Sequence, residues 1–263
     1  MAETNGGVFS GADEEMVRNL RSDFLDDTIE SVSNLEAGIA EAQGGRNDAN
    51  EVLMTARKLA FNVKGQAANF GLSLLTAVAR RLNDYLANLS QLDDKGLDDL
   101  SAFTDTLGDV LDGRIKADAS AASVVRDLPA KRGFETNEIE TRNVEALLVM
   151  LHGAATHYVE RELHECGYRV SHTASALDAL DVIIHTKPDF VVISAVMPHL
   201  SGVDLATALA TMPATRNTPV LLITSYERGH ESLALLPDSV PIVRKGSSFG
   251  DDLADALSAK FLL

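Results

Sequence analysis

Cysteine and long apolar runs are scarce in this sequence, and each shortage excludes a class of structure. Cys166 is the only cysteine, so the chain can form neither an internal disulfide nor a zinc site built on cysteines. No stretch approaches the ~20 apolar residues that a membrane-spanning helix needs. The first residues match neither a signal peptide nor an Arg-rich transit peptide. We therefore expect a cytoplasmic protein that does not cross a membrane.

Basic residues are also too few for one class of partner. The formal net charge is −16, and binding to nucleic acid or to an anionic membrane surface relies on patches of Lys and Arg. The chain contains no phosphate-binding loop, no dinucleotide-binding glycine fingerprint and no nucleophile elbow. We expect protein partners, no nucleic acid or membrane partner, no cofactor, no bound metal and no enzymatic activity.

The first half of the chain has the periodicity of helices. At 263 residues the chain is long enough for two domains. Apolar residues recur every three or four positions in four successive stretches, which predicts an antiparallel four-helix bundle over residues 1–116. The helices are expected at residues 13–43, 48–71, 72–89 and 97–115. In an alternative interpretation, residues 13–20 form a separate short helix across one end of the bundle.

The second half alternates short β-branched runs with amphipathic stretches. Residues 117–143 read as a linker with one short helix near 121–127. Residues 144–263 predict a doubly wound domain with a five-stranded parallel sheet. Strands are expected at 145–151, 168–172, 190–194, 219–224 and 240–243, and helices at 154–166, 174–185, 203–210, 227–236 and 250–261. The functional edge of such a sheet lies at the carboxyl ends of its strands.

One aromatic residue of the second helix lies on the wrong side for a core residue. Each helical residue advances about 100°, so Phe61 points roughly 160° away from the apolar stripe that runs from Val52 to Phe70. It shares the outer face with four residues and has a lysine on either side: Met54, Arg57, Gly65 and Ala68, flanked by Lys58 and Lys64.

Residues 61–71, F-N-V-K-G-Q-A-A-N-F-G, resemble the centre of a histidine phosphotransfer (Hpt) domain, which reads H-x-x-K-G-[small]-[small]-x-x-[apolar]-G. In that family the histidine of a four-helix bundle carries a phosphoryl group. The resemblance implies that Lys64 would help to hold phosphate and that Gly65 would let a receiver domain approach, and Ala68 and Gly71 also match. Phe61 occupies the histidine position, and a phenyl ring has no nucleophilic nitrogen.

No shift of register supplies the missing histidine, because all seven histidines lie at or after His152. Three interpretations of Phe61 remain open. It is shielded by a loop or by the N-terminal tail, or the helix face has been misassigned, or Phe61 is a docking anchor. An anchor ringed by Arg57, Lys58 and Lys64 would suit an acidic partner surface, since an apolar centre with a charged rim is how interfaces concentrate energy.

The second half resembles the receiver domain of response regulators. Five motifs follow that family's consensus in the right order: G-Y-R-V at 167–170, P-D-F-V-V-I-S at 188–194, M-P-H-L-S-G-V-D-L at 197–205, T-P-V-L-L-I-T-S at 218–225 and P-I-V-R-K-G at 241–246. Receivers place two acidic residues after the first strand and an aspartate after the third. These carboxylates hold Mg²⁺, and the aspartate accepts the phosphoryl group.

The carboxylates are absent from those positions. The acceptor position holds Ser194, and the acidic pair falls at Met150-Leu151 or, one residue later, at Leu151-His152. No Asp or Glu lies between Glu145 and Glu160. Thr224 and Lys245 match the phosphate-contacting threonine and lysine of the family. Lys245 either hydrogen-bonds Ser194 or a backbone carbonyl, or forms an anion pocket with Thr224, Ser194 and His152.

Both resemblances imply a bacterial two-component signalling protein with a degenerate Hpt domain and a degenerate receiver. The expected function is that of a non-catalytic adaptor or regulator. It would bind a histidine kinase or a response-regulator receiver domain without accepting phosphate. One alternative is a phosphorelay intermediate with an atypical acceptor, His152 or Ser194. Another is that the two domains contact each other within the chain.

Overall fold

A computed structural model describes residues 11–87, 89–130, 144–227, 229–246 and 249–261. The chain divides into two compact units. The first comprises Met1–Asn83 and Leu89–Asp118, and the second comprises Asp84–Asn88 and Ala119–Leu263. None of the helices described is long and apolar enough to cross a membrane.

In the described part of the first unit there are four helices: α1 (Gly11–Gln43), α2 (Ala49–Ala67), α3 (Ser73–Leu86, of which residues 84–86 are grouped with the second unit) and α4 (Asp94–Leu111). Two of them begin at aspartates whose side chains accept hydrogen bonds from the first turn. Asp48 caps α2 and Asp93 caps α4. Helix α1 packs against both α2 and α4. It is continuous from residue 11 to residue 43, so the alternative of a separate helix at 13–20 is wrong.

The predicted core stripe of α2 is buried. Val52, Ala56, Leu59, Val63 and Ala67 all face the interior, as their spacing of three and four residues requires. The helix ends at Ala67 and is followed by a 3₁₀ turn, Ala68–Phe70. Gly71 then takes the left-handed conformation with φ 67°, which glycine adopts without steric cost.

A five-stranded sheet forms the centre of the second unit. Its strands are β1 (Glu145–Val149), β2 (Arg169–Thr173), β3 (Phe190–Ser194), β4 (Val220–Thr224) and β5 (Ile242–Arg244). They are all parallel and lie in the order β2-β1-β3-β4-β5. The accompanying helices are α5 (Ala121–Asp127), α6 (Ala154–Glu165), α7 (Ala176–Thr186), α8 (Gly202–Thr211) and α9 (Phe249–Phe261). Apolar clusters cover the two faces of the sheet.

The predicted helix over residues 227–236 is wrong. Only a 3₁₀ turn, Glu231–Leu233, occurs among the described residues of that stretch. Two local features explain the difference. Gly229 has a φ of 89°, outside the helical range. The ring nitrogen Nδ1 of His230 accepts a hydrogen bond from the Ser232 amide at 3.2 Å. His230 thereby caps the start of the 3₁₀ turn.

Part of the stretch interpreted as a linker belongs to the second unit. Helix α5 has the predicted bounds, and it packs against α7. Its Arg126 Nη2 lies 2.9 Å from Asp189 Oδ1, next to the start of β3. Residues 121–130 are therefore held against the sheet domain. Residues 131–143 of the same stretch lie outside the described residues.

Candidate functional site

The outer face of α2 presents an exposed aromatic ring. Phe61 is 68% exposed, and Met54, two turns earlier on the same side, is exposed as well. Nothing lies within 4 Å of a Cβ built on Gly65, one turn after Phe61, so the backbone there is open to a partner. We call this surface, formed by Met54, Lys58, Phe61, Lys64, Gly65 and Ala68, the Phe61 face.

The three cations that were expected around Phe61 differ in their surroundings. Lys58 is exposed and Lys64 is half-buried. Arg57 is also half-buried, and its Nη2 donates a hydrogen bond to the carbonyl oxygen of Leu89. Arg57 therefore fixes the chain after α3, whereas Lys58 and Lys64 supply the positive charge beside the ring. This face offers an apolar anchor and cations, and Phe61 itself offers no nucleophile.

The strand register brings the other predicted site residues to one edge of the sheet. Val149 pairs with Ile193, Ser194 with Ile223, and Thr224 with Arg244. Because the carboxyl ends of parallel strands meet at the same edge, the residues that end β1, β3, β4 and β5 share it. Those residues are Met150, Leu151, His152, Ser194, Thr224 and Lys245.

At the end of β1, one side chain points into the core and the next two are exposed. Met150 is buried, and Leu151 and His152 lie at the surface. The ring of His152 packs at 4.5 Å, between centroids, against the ring of His172 on β2. His172 Nε2 lies 2.8 Å from the Met150 carbonyl oxygen. Since a carbonyl only accepts, this nitrogen of His172 carries a hydrogen.

The end of β3 is closed around Ser194. Its side chain is buried, and its hydroxyl donates a hydrogen bond to the carbonyl oxygen of Val196 at 3.3 Å. Helix α8 begins directly against this strand end, where the Gly202 amide donates to the Ala195 carbonyl at 3.0 Å. The Ser194 hydroxyl is thus engaged with its own loop. A hydrogen bond between Ser194 and Lys245 was one of the alternatives that the sequence left open, and the Ser194 hydroxyl donates to Val196 instead.

The ends of β4 and β5 place Thr224 and Lys245 differently. Thr224 is buried, and its hydroxyl accepts a hydrogen bond from the Tyr226 amide at 3.0 Å. The Lys245 amide donates to the Thr224 carbonyl at 2.8 Å, while the residue itself is exposed. Thr224 therefore stabilises the turn that follows β4, and Lys245 is an exposed cation next to Arg244, which ends β5.

The donor set at this edge does not suit Mg²⁺. Magnesium is a hard cation that prefers carboxylate, phosphate and water oxygens. The ends of β1 and β3 instead present a thioether, an isobutyl group, an imidazole and a hydroxyl, from Met150, Leu151, His152 and Ser194. Within the described part of the chain, no group of three or more His, Cys, Asp or Glu side chains could hold a metal ion.

Sequence reasoning missed three features of the edge. The His152–His172 ring contact depends on the pairing of β1 with β2, which the sequence pattern does not encode. Val196, two residues after the end of β3, and Leu151, two residues after the end of β1, are both exposed although both are apolar. The ring of Tyr226 stacks on that of His230, with centroids 4.2 Å apart, beside the 3₁₀ turn that takes the place of the predicted helix.

Comparison with known proteins identifies part of the chain. Residues 147–237 match the family model of the response regulator receiver domain. A curated relative, the two-component response regulator-like protein APRR7 of Arabidopsis thaliana, is 27% identical over 100 residues, which are 37% of this chain. The chain covers 13% of the length of that relative.

Solved receiver domains also align with this chain. The receiver domain of the sensor histidine kinase PA1611 from Pseudomonas aeruginosa is 19% identical, with a TM-score of 0.39, and the alignment covers 44% of this chain and 95% of that one. CheY4 of Vibrio cholerae is 19% identical, with a TM-score of 0.40, and the alignment covers 44% and 97%. On the family match, residues 147–237 of this chain form a response regulator receiver domain.

Proposed function

We propose that this chain is a non-catalytic adaptor or regulator of two-component signalling. In this proposal a degenerate Hpt bundle and a degenerate receiver domain bind a histidine kinase or a response regulator without accepting a phosphoryl group. The proposal includes a bacterial, cytoplasmic setting. The observation that carries it is the exposure of Phe61 at the position where the Hpt resemblance expects a phosphorylated histidine.

The Phe61 face supports the binding half of the proposal. A phenyl ring that is 68% exposed leaves apolar surface in water, which favours its burial in a complex. Lys58 and Lys64 lie beside it, and Gly65 leaves room for close approach. An aromatic anchor with a charged rim is a typical arrangement of binding hot spots. The acidic surface around the acceptor site of an active receiver would complement it.

The sheet edge supports the non-catalytic half. Ser194 replaces the expected aspartate, and its hydroxyl is buried and engaged with Val196. The expected acidic pair falls at Met150-Leu151 or at Leu151-His152, and neither pair supplies the carboxylate oxygens that Mg²⁺ prefers. The relative from Arabidopsis thaliana is described as response regulator-like, which is compatible with this proposal.

A binding assay with a matched control tests the proposal. Each receiver domain and kinase core from the same genome would be purified and titrated with the full chain and with Phe61→Glu. We expect at least one of them to bind, and Phe61→Glu to weaken that binding by about tenfold or more, because a charge replaces the buried anchor. Leu177→Glu changes a residue of similar exposure, 62%, and should leave binding intact.

The result that contradicts the adaptor is equally definite. Either no receiver or kinase binds, or Phe61→Glu and Leu177→Glu bind as the unmodified chain does. The alternative function, a relay through His152, is tested in parallel, because that imidazole is exposed and therefore reachable. Incubation with an active kinase, labelled ATP and Mg²⁺ should leave the chain unlabelled. Label that disappears in His152→Ala would establish the relay instead.

A further inference from the structure

The apolar stripe that α1 buries in the bundle extends towards the start of the helix, where its side chains are exposed. Helix α1 has 33 residues, against 19 in α2. Its buried positions are Phe24, Thr28, Val32, Leu35 and Ile39, at steps of four, four, three and four. Every side chain from residue 14 to residue 23 is exposed. We call residues 14–23 the leading segment of α1.

Apolar residues of the leading segment lie on the extension of that stripe. Val17 precedes Phe24 by seven residues and Leu20 precedes it by four, so both lie on the side of the helix that becomes the core side farther along. Met16 is next to them, and all three are exposed. A helix of about ten residues is marginally stable in water on its own. This stripe is suited to packing against another helix.

The charges of the leading segment complement a second copy of the same segment. Glu14 and Arg21 are seven residues apart, so they lie on the same flank of Val17, about 10 Å apart along the axis. If two copies cross antiparallel about a two-fold axis near Val17, Glu14 of each copy faces Arg21 of the other. Because the two-fold axis relates the two copies, the Glu14–Arg21 pair occurs twice. The antiparallel crossing therefore gives two ion pairs around one apolar centre.

We propose that this protein forms a homodimer through antiparallel packing of the leading segments of α1. Met16, Val17 and Leu20 of the two copies form the apolar centre, and the two Glu14–Arg21 pairs set the direction and register. The apolar area is small in comparison with that of a permanent dimer, so we expect a weak and reversible association. This inference rests on α1 alone and is independent of the proposed function.

Sedimentation equilibrium of the full chain over a range of concentrations tests the dimer. We expect the mean mass to rise towards twice the chain mass. Leu20→Asp should raise the dimer dissociation constant by at least about tenfold, because it places charges in the apolar centre. Ile29→Asp is the matched control, since Ile29 is 42% exposed on the same helix and Leu20 is 52% exposed. It should leave the dissociation constant unchanged.

Charge reversal tests the register. Glu14→Arg and Arg21→Glu should each weaken the dimer by about fivefold to tenfold, since each creates two like-charged pairs. The double variant Glu14→Arg/Arg21→Glu restores opposite charges and should recover most of the lost affinity. Circular dichroism of each variant confirms that the helix content is retained. A purely structural role of these residues would make the two single losses add in the double variant.

Cross-linking tests the position of the crossing. Cys166 is exposed, so a Cys166→Ser background removes the native thiol. Under mild oxidation, Val17→Cys in that background should form a disulfide-linked dimer, and Ile29→Cys should not. Monomeric behaviour at every concentration means that the stripe is covered by residues 1–10 or by another protein, and it overturns the proposal. Equal cross-linking at residues 17 and 29 overturns it as well.

Discussion

The Cα of Gly202 lies so close to the carbonyl oxygen of Ser194 that no side chain fits between them. A Cβ built on Gly202 would lie 1.9 Å from that oxygen, and the obstacle is backbone that cannot rotate away. The start of α8 therefore approaches the end of β3 as closely as only glycine allows. The same glycine donates its amide hydrogen to the Ala195 carbonyl at 3.0 Å, which holds the loop after Ser194 in place.

Gly202→Ala should destabilise the receiver domain by about 2 kcal/mol or more, because the backbone of β3 or α8 must shift to admit a methyl group. Urea unfolding followed by circular dichroism measures the change. Gly246→Ala is the control, since nothing lies within 4 Å of a Cβ at that position. Equal stability of the two variants would show that α8 can move away from β3 at little cost.

The helix and strand positions were largely predictable because they depend on local periodicity. Strand β3 has the bounds that its apolar run predicted, and so has α5. The stretch 227–236 was predicted to be a helix, and it contains Leu233 and Leu236 at a spacing of three residues. The backbone at Gly229 overrides that spacing. Residue types predict helical faces well, but one left-handed residue decides whether the helix forms.

The motifs predict which residues end the strands but not the contacts that those residues make. The strand register places Ser194 and Thr224 at the carboxyl ends of β3 and β4, and Lys245 directly follows β5. Whether the Ser194 hydroxyl turns to Lys245 or to Val196 depends on the shape of a short loop, and no residue pattern specifies that. The attachment of α5 likewise depends on a pair of residues 63 positions apart, Arg126 and Asp189.

Truncation of a side chain should lower the stability of the protein on the buried face of α2 and leave it nearly unchanged on the exposed face. Leu59→Ala empties a buried position and should lower the free energy of unfolding by about 2–4 kcal/mol. Phe61→Ala removes a larger side chain from an exposed position and should change it by no more than about 0.5 kcal/mol. Thermal or urea unfolding of both variants gives the comparison. A large loss on Phe61→Ala would mean that the ring packs against this protein itself.

The attachment of α5 to the sheet domain should be separable from the stability of the sheet. Arg126→Ala removes the ion pair with Asp189, which is partly exposed, and should cost about 0.5–1 kcal/mol. Hydrogen exchange should speed up in residues 121–127 and remain slow in β1 and β3. Arg161→Ala, which removes exposed ion pairs on α6, is the control and should leave exchange in α5 unchanged.

Asp189→Ala should cost more than Arg126→Ala. Its other carboxylate oxygen accepts a hydrogen bond from the Glu145 amide at 2.8 Å, at the start of β1. Removal of the acceptor leaves that amide without this bond, which typically costs about 1–3 kcal/mol. The double variant Arg126→Ala/Asp189→Ala then measures the coupling between the two residues. Identical exchange rates in α5 for all variants would show that other contacts hold it, such as the hydrogen bond from Arg169 to the Leu128 carbonyl oxygen.

Magnesium should leave the stability of this protein unchanged, and carboxylates added at the sheet edge should alter that. MgCl₂ should leave the melting temperature of the unmodified chain unchanged, because Ser194 supplies no carboxylate. It should also leave that of Ser194→Asp unchanged, because one carboxylate opposite Met150 and Leu151 is too few for the ion. Ser194→Asp alone should also lower the free energy of unfolding by about 1–3 kcal/mol, since it buries a charge where a small hydroxyl was.

Leu151→Asp/His152→Asp/Ser194→Asp supplies three carboxylates, and Mg²⁺ should then raise the melting temperature, because a ligand that binds only the folded state stabilises it. The control is Leu177→Asp/Ile184→Asp/Ser194→Asp, which also adds three carboxylates but places two of them on exposed positions of α7, away from the sheet edge. A magnesium-dependent rise in the unmodified chain would mean that other oxygens at this edge already bind the ion.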